Sequence, residues 1–278
     1  MVKKAFSSLC IKGAIRLFEK RHSDGNRQYR YLLQTADAPQ LIVVFSGFPG
    51  AGAKAGYNYI RTLKDIRCNK LFLLDNFGFQ SRGAYYLAEN GDFGIEAAFH
   101  GLITEIRQRL KSEATIYLGS SKGGYAALYY GIKNEADCII AGSPQFYLGR
   151  YLSLPSHKPI LAAIMGDDGA AGAARLDRLL TETVTDPGHA KKPKVYLQYS
   201  KNEPAYGEHL RDLVQALREN GFPLSQNIGA YLNHGDLVNF FPNYLLDVLT
   251  NQMGVPRKGR TISGAASPPG ADREIKNP

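Results

Sequence analysis

The sequence predicts an α/β fold: a mostly parallel sheet with helices on both faces. Five short apolar runs, 41–45, 70–74, 114–118, 136–141 and 195–199, have the length and composition of strands buried on both sides. Between several of them lie segments whose apolar residues recur at helical spacing, as at 95, 98, 99, 102, 103, 106 and 110. Strands alternating with helices require right-handed crossovers, which cover a parallel sheet on both sides. A chain of 278 residues with 44% hydrophobic content can bury that core as one domain.

The elements follow in order. Ala14-Ile15-Arg16-Leu17-Phe18 alternates, Ser23-Asp24-Gly25-Asn26 is turn chemistry, and Tyr29 to Leu33 resumes the alternation. This reads as an antiparallel edge hairpin. Leu41 to Phe45 and Lys70 to Leu74 are the first central strands, with a helix expected between them. A helix over 95–110 leads to the strand 114–118, which stops at a glycine-rich turn and enters another helix. After the strand 136–141, the segment 147–190 is less regular and occupies the place of a lid or cap-like insertion. The strand 195–199, a helix over 208–217, a short strand and a last amphipathic helix over 237–249 complete a single domain spanning 1–253. From Gly254 to Pro278, proline, glycine, serine and charge dominate, and the segment reads as a disordered tail.

The turn after 114–118 carries the chemistry. Gly119-Ser120-Ser121-Lys122-Gly123 matches Gly-x-Ser-x-Gly between a strand and a helix, the nucleophile elbow of the α/β-hydrolase fold. Only Ser121 has glycines two places before and two after, where side chains would collide across the turn; Ser120 has Leu118 and Lys122 there. Ser121 is therefore the candidate nucleophile. Without further partners the motif is simply a tight glycine turn.

A serine hydroxyl needs a general base, and the base needs a carboxylate to orient it. In this fold the order along the chain is serine, acid, histidine. His234, in Asn233-His234-Gly235-Asp236 before the last helix, stands where the histidine is delivered. His22 and His100 precede the serine, His157 and His189 fall in the insertion, and His209 sits on a helix that reads as surface. The loop after 195–199 offers Glu203 as the acid; Asp236 is the main competitor, with Asp167, Asp168 and Asp75 less well placed. Backbone amides of Lys122 and Phe48 are the expected oxyanion donors, with Gly47 letting the loop Ser46–Gly50 come close and Pro49 excluded for want of an N–H. Gly47 through Lys54 is not a P-loop: Gly52 is followed by Ala53 before the lysine, and the hydroxyl is missing.

Composition bounds the partners. A net charge of +9 suits an anionic ligand, an acidic glycan or a membrane surface. The basic residues are scattered apart from Lys191-Lys192-Pro193-Lys194 and the tail, and no nucleic-acid motif is present, so nucleic acid is not an expected partner. No apolar run approaches the ~20 residues that span a bilayer. The first residues, with Lys3, Lys4, Lys12 and Arg16, are too charged for a secretory leader. Three distant cysteines, Cys10, Cys68 and Cys138, form neither a metal spacing nor a disulfide framework, which points to a reducing cytoplasm.

Several segments together resemble bacterial α/β-hydrolase-type proteins of surface-glycan pathways. These are Tyr57-Asn58-Tyr59-Ile60, Leu74-Asp75-Asn76-Phe77-Gly78, Gly83-Ala84-Tyr85-Tyr86-Leu87, Gly119 to Tyr125, Gly142-Ser143-Pro144-Gln145 and the region from Asn233 to Leu246. That group comprises capsular polysaccharide biosynthesis proteins and carbohydrate O-acetyltransferases, the meningococcal serogroup A capsule enzyme among them, with the accessory Sec glycan acetylation proteins more distant. Glu203 departs from the aspartate common at the acid position. The resemblance implies O-acetylation of a surface polysaccharide, with acetyl-CoA as acyl donor, no tightly bound cofactor, and association with a glycan-assembly complex or a membrane surface. Tyr57, Tyr85 and Tyr86 are candidates for an aromatic sugar platform. A serine esterase and a non-catalytic scaffold on the same fold are the alternatives.

Overall fold

A computed structural model describes residue 15, residues 17–50 and residues 52–258. Its centre is an eight-stranded sheet in the order β1-β2-β4-β3-β5-β6-β7-β8. β1 (Lys20–Ser23) and β2 (Gln28–Gln34) form an antiparallel hairpin, and β2 is antiparallel to β4 (Asn69–Leu74). From β4 the sheet runs parallel through β3 (Gln40–Phe45), β5 (Ala114–Ser120), β6 (Cys138–Gly142), β7 (Lys194–Ser200) and β8 (Leu224–Gly229).

The apolar runs divide their side chains between two cores because successive residues of a strand face opposite sides. Leu41, Val43 and Phe45 face one core while Ile42 and Val44 face the other, and β5, β6 and β7 repeat the alternation. The first core is covered by α1 (Gly94–Arg109), α2 (Lys122–Lys133), the helices of the insertion and α6 (Arg211–Glu219). The second is covered by α7 (Leu237–Asp247) and by the turns that contribute Leu63 and Ile66.

Four features differ from the sequence expectation. The first strand of the hairpin is Lys20–Ser23, and Ile15, Leu17 and Phe18 are helical; the alternation at 14–18 is too short to separate the two periods. The crossover from β3 to β4 is built of turns, with no helix among its described residues. The segment 147–190 is regular: α3 (Leu148–Leu152), α4 (Lys158–Met165) and α5 (Ala170–Thr185), with α5 packed on α2 and α3. Its glycines serve that packing, since a Cβ on Gly149 would lie 1.7 Å from the Ala173 carbonyl oxygen. Finally, the domain continues past 253: Val255 is buried, Arg67 N–H donates to Pro256 O, and Lys258 N–H donates to Asp65 O. The remainder of the expected tail lies outside the described residues, as does Cys10.

Cys68 and Cys138 are buried free thiols, and burial pushes them up to about 11 and about 12. No helix among the described residues is long and apolar enough to cross a membrane.

Candidate active site

The carboxyl end of the parallel sheet gathers the candidate residues. β5 ends at Ser120, and Ser121 turns the chain into α2 with φ 52° and ψ −122°. An L-residue holds that conformation only when its surroundings enforce it. Two glycines do so. A Cβ on Gly119 would fall 2.3 Å from the Gly123 carbonyl oxygen, and a Cβ on Gly123 would fall 2.5 Å from that of Phe45. Ser121 N–H donates to Gly142 O at 2.7 Å, pinning the elbow to β6. Ser120 points elsewhere, its hydroxyl bonded to Tyr59.

His234 opens a short 3-10 turn that leads into α7. Its Nδ1 lies 3.0 Å from Glu203 Oε2, and its Nε2 lies 2.9 Å from Ser121 Oγ. A carboxylate only accepts, so Nδ1 carries the proton, and Nε2 is left to accept from the serine hydroxyl. Glu203 enters from the loop after β7 with its side chain wholly buried. Its second oxygen, Oε1, accepts from the Ser143 hydroxyl, from Tyr231 OH at 3.3 Å and from Ser200 N–H at 3.4 Å. Burial pushes the carboxyl up, but the bonds from His234 and Ser143 outweigh it and hold the group below its ordinary range.

The competing acids are committed elsewhere. Asp236 closes a capping box with Asn233, Asp167 accepts from Gly169 N–H, and Asp168 pairs with Lys158. Asp75 pairs with Lys122 Nζ at 2.7 Å, both side chains fully buried. Burial presses the Lys122 ammonium below its ordinary value, and Asp75 opposes the shift.

On the oxyanion side, Ser46 N–H donates to Tyr86 OH and Gly47 N–H to Asn58 Oδ1, so those two amides are engaged. This leaves the next one, on Phe48, as the candidate from that loop. Gly47 is not sterically required: a Cβ there would make ordinary contact, 3.5 Å, with Ser120 O.

The three tyrosines do not form an open platform. Tyr85 and Tyr86 have no exposed surface, and a sugar ring needs an accessible aromatic face. Tyr57 is half-buried with its hydroxyl on Glu19 at 2.9 Å. Tyr85 instead reaches Gln145 Oε1, whose Nε2 lies 3.5 Å from Ser121 Oγ. Sequence reasoning did not single out Gln145, Ser143 or Tyr231 as members of the site. The signals for the first two were their position at the end of a strand on the active edge and their place in the resembling segment Gly142-Ser143-Pro144-Gln145.

His209 is likewise buried, not on the surface. Its Nδ1 faces Tyr147 N–H at 3.4 Å. Burial, with the charges of Arg150 and His234 and against that of Asp212, lowers it from 6.5 to about 4. Below its unfolded value the unfolded chain takes up a proton that the native state refuses. Stability is therefore expected to fall between pH 6.5 and about pH 4, by up to roughly 3 kcal/mol. Urea unfolding across that window should show the loss, and His209→Gln should flatten it.

No group of three or more metal-ligating side chains is found among the described residues. No family model matches the chain. It is 32% identical over 152 residues to an accessory Sec system protein of Staphylococcus aureus, covering 53% of this chain and 27% of that protein. The chain thus spans about a quarter of the length of the curated relative it matches. Among solved structures, the capsule O-acetyltransferase of Neisseria meningitidis serogroup A superposes with a TM-score of 0.69 at 22% identity, covering 85% of this chain and 99% of that one. A variant of that protein in complex with CoA gives 0.70 at 23% identity, covering 84% and 95%. The glycosylation-associated Gap123 complex of Streptococcus agalactiae gives 0.70 at 23%, covering 86% of this chain and 48% of that one. Serine hydrolases of lower identity share the architecture. These likenesses show the α/β-hydrolase fold.

Proposed function

We propose that the protein is a serine-dependent acyltransferase that O-acetylates a bacterial surface polysaccharide from acetyl-CoA. One observation carries the acyl-transfer reading: Ser121 Oγ, His234 and Glu203 stand in a continuous hydrogen-bonded line, at 2.9 and 3.0 Å, on a strained elbow. The choice of acetyl donor and glycan acceptor is supported by the CoA complex of the meningococcal protein and by the segments quoted from the sequence.

In this scheme Ser121 Oγ attacks the thioester carbonyl carbon while His234 Nε2 takes the hydroxyl proton. Glu203 stabilises the imidazolium, and the Phe48 and Lys122 amides stabilise the oxyanion. The C–S bond breaks, and the departing thiolate takes the proton from His234. A sugar hydroxyl then gives its proton to His234 and attacks the acetyl carbon. The C–Oγ bond breaks, and Ser121 Oγ takes the proton back from His234, which restores the free serine and the neutral base. The proposed setting is a reducing cytoplasm, supported by two buried free thiols, in company with a glycan-assembly complex, supported by the likeness to a glycosylation-associated complex.

The test supplies acetyl-CoA with and without a capsular polysaccharide acceptor and measures thiol release, free acetate and acetylated sugar. Thiol release that depends on the acceptor and matches acetylated sugar supports transfer. Acetate as the sole product makes the protein an esterase. No release, together with no labelling of Ser121 by a fluorophosphonate, rejects the serine mechanism and leaves a scaffold.

The acid assignment has its own test. Glu203→Gln is expected to lower the acylation rate about 10⁴-fold by disfavouring the required tautomer. Asp236→Asn keeps an acceptor for the Asn233 amide and should change the rate by no more than about threefold. Reversed effects would move the acid to Asp236.

A further inference from the structure

The elbow contains a lysine whose side chain does not behave as a surface lysine. Lys122 follows the nucleophile, and its ammonium is fully buried against Asp75, with the Tyr86 ring centroid 4.8 Å away and that of Phe48 5.5 Å away. Asp75 Oδ2 also accepts from Tyr86 N–H at 3.1 Å, and both its oxygens accept from Ala84 N–H at 2.9 Å. Tyr86 OH donates to Leu73 O at 3.1 Å and accepts from Ser46 N–H at 2.6 Å and from the Ser46 hydroxyl at 2.8 Å. Gly83 leaves room for the pair: its φ is 114°, and a Cβ there would lie 2.5 Å from Lys122 Nζ.

A buried ion pair is a poor stabiliser in itself, because desolvating two charges offsets most of their attraction. What this pair does is connect. The chain of contacts starts at the residue whose amide forms one half of the oxyanion hole. It passes through Asp75 and Tyr86 to Ser46, two residues before the amide that forms the other half. We infer that Asp75 and the Lys122 side chain are positioning residues that fix the spacing of the two oxyanion donors, linking the elbow to the loop after β3. The inference rests on the proposed role of the Phe48 and Lys122 amides and adds two side chains that nothing in the Ser121–His234–Glu203 line requires.

The experiment compares Lys122→Met, Asp75→Asn and the double variant with the wild type. Thermal unfolding is measured alongside the second-order rate of Ser121 labelling by a fluorophosphonate and the affinity for methyl trifluoromethyl ketone, whose hemiketal with Ser121 Oγ mimics the tetrahedral intermediate. Each single change strands a buried charge or polar partner and should lower the unfolding temperature. The double variant removes both charges and keeps an acceptor for the Ala84 and Tyr86 amides, so its unfolding temperature should recover. Its labelling is nonetheless expected to stay about 10- to 100-fold slow, with the ketone weakened by a similar factor. Recovery of labelling to within about threefold of wild type along with stability would overturn the inference, reducing the pair to charge compensation. If the double variant does not fold, Tyr86→Phe breaks the same path at Ser46 while keeping the ion pair. Slowed labelling there supports the inference and wild-type labelling overturns it. A wild-type protein that is not labelled at all rejects the serine mechanism, an outcome distinct from failure of the variants.

Discussion

Ser121→Ala is expected to lower acyl turnover by about four to six orders of magnitude and to abolish fluorophosphonate labelling. In the proposed mechanism the hydroxyl forms the covalent bond, and Ser120 does not substitute for it, being turned toward Tyr59. His234→Ala should cost a similar factor, and the double variant little more, because the two act as one unit. The alanine retains the Cβ and hence the backbone strain at φ 52°. Ser121→Gly releases that strain and is expected to be more stable than wild type by about 1 kcal/mol while remaining inactive. Urea denaturation of wild type, Ser121→Ala and Ser121→Gly, with labelling run in parallel, separates the two effects. Retained labelling in Ser121→Ala would place the nucleophile elsewhere.

Gly119→Ala is the second large effect, and it falls on the fold. The added methyl carbon meets the Gly123 carbonyl oxygen at 2.3 Å and its carbonyl carbon at 2.4 Å. Both are backbone atoms at the start of α2, and neither yields as a flexible side chain would. Relief requires opening the turn, at about 3 kcal/mol of stability, and opening it displaces Ser121 from His234. Gly47→Ala is the control: its Cβ would meet only Ser120 O, at 3.5 Å, so stability should change little. A Gly119→Ala protein with wild-type unfolding and labelling would contradict the elbow geometry.

The sequence carried unusually much of the candidate site because the constraints there are local or follow chain order. Gly119 and Gly123 flank Ser121 by steric necessity within one turn, which five letters display. His234 was identifiable because this topology delivers one loop per strand to the active edge, and only one histidine falls on the last of them. The central strands were legible because burial on both faces produces continuous apolar runs. The hairpin's first strand was not: one strand of four residues at a sheet edge, with a mostly exposed pattern, leaves little hydrophobic signal.

Other features depend on long-range contacts, which leave no periodic trace. That Asp236 is occupied by Asn233 is settled by a capping geometry that spacing alone leaves open. That Tyr85 and Tyr86 are buried wedges, and His209 a neutral core group, follows from which elements close over them. The support beneath the site belongs here too. Ser143 and Tyr231 reach Glu203 from 60 and 28 residues away, and Asp75 reaches Lys122 across 47. Local backbone sterics and strand order wrote the proposed nucleophile, base and acid into the chain. The groups that orient them were chosen by packing, because a hydrogen-bond partner is defined by distance in space and no pattern of neighbouring letters encodes it.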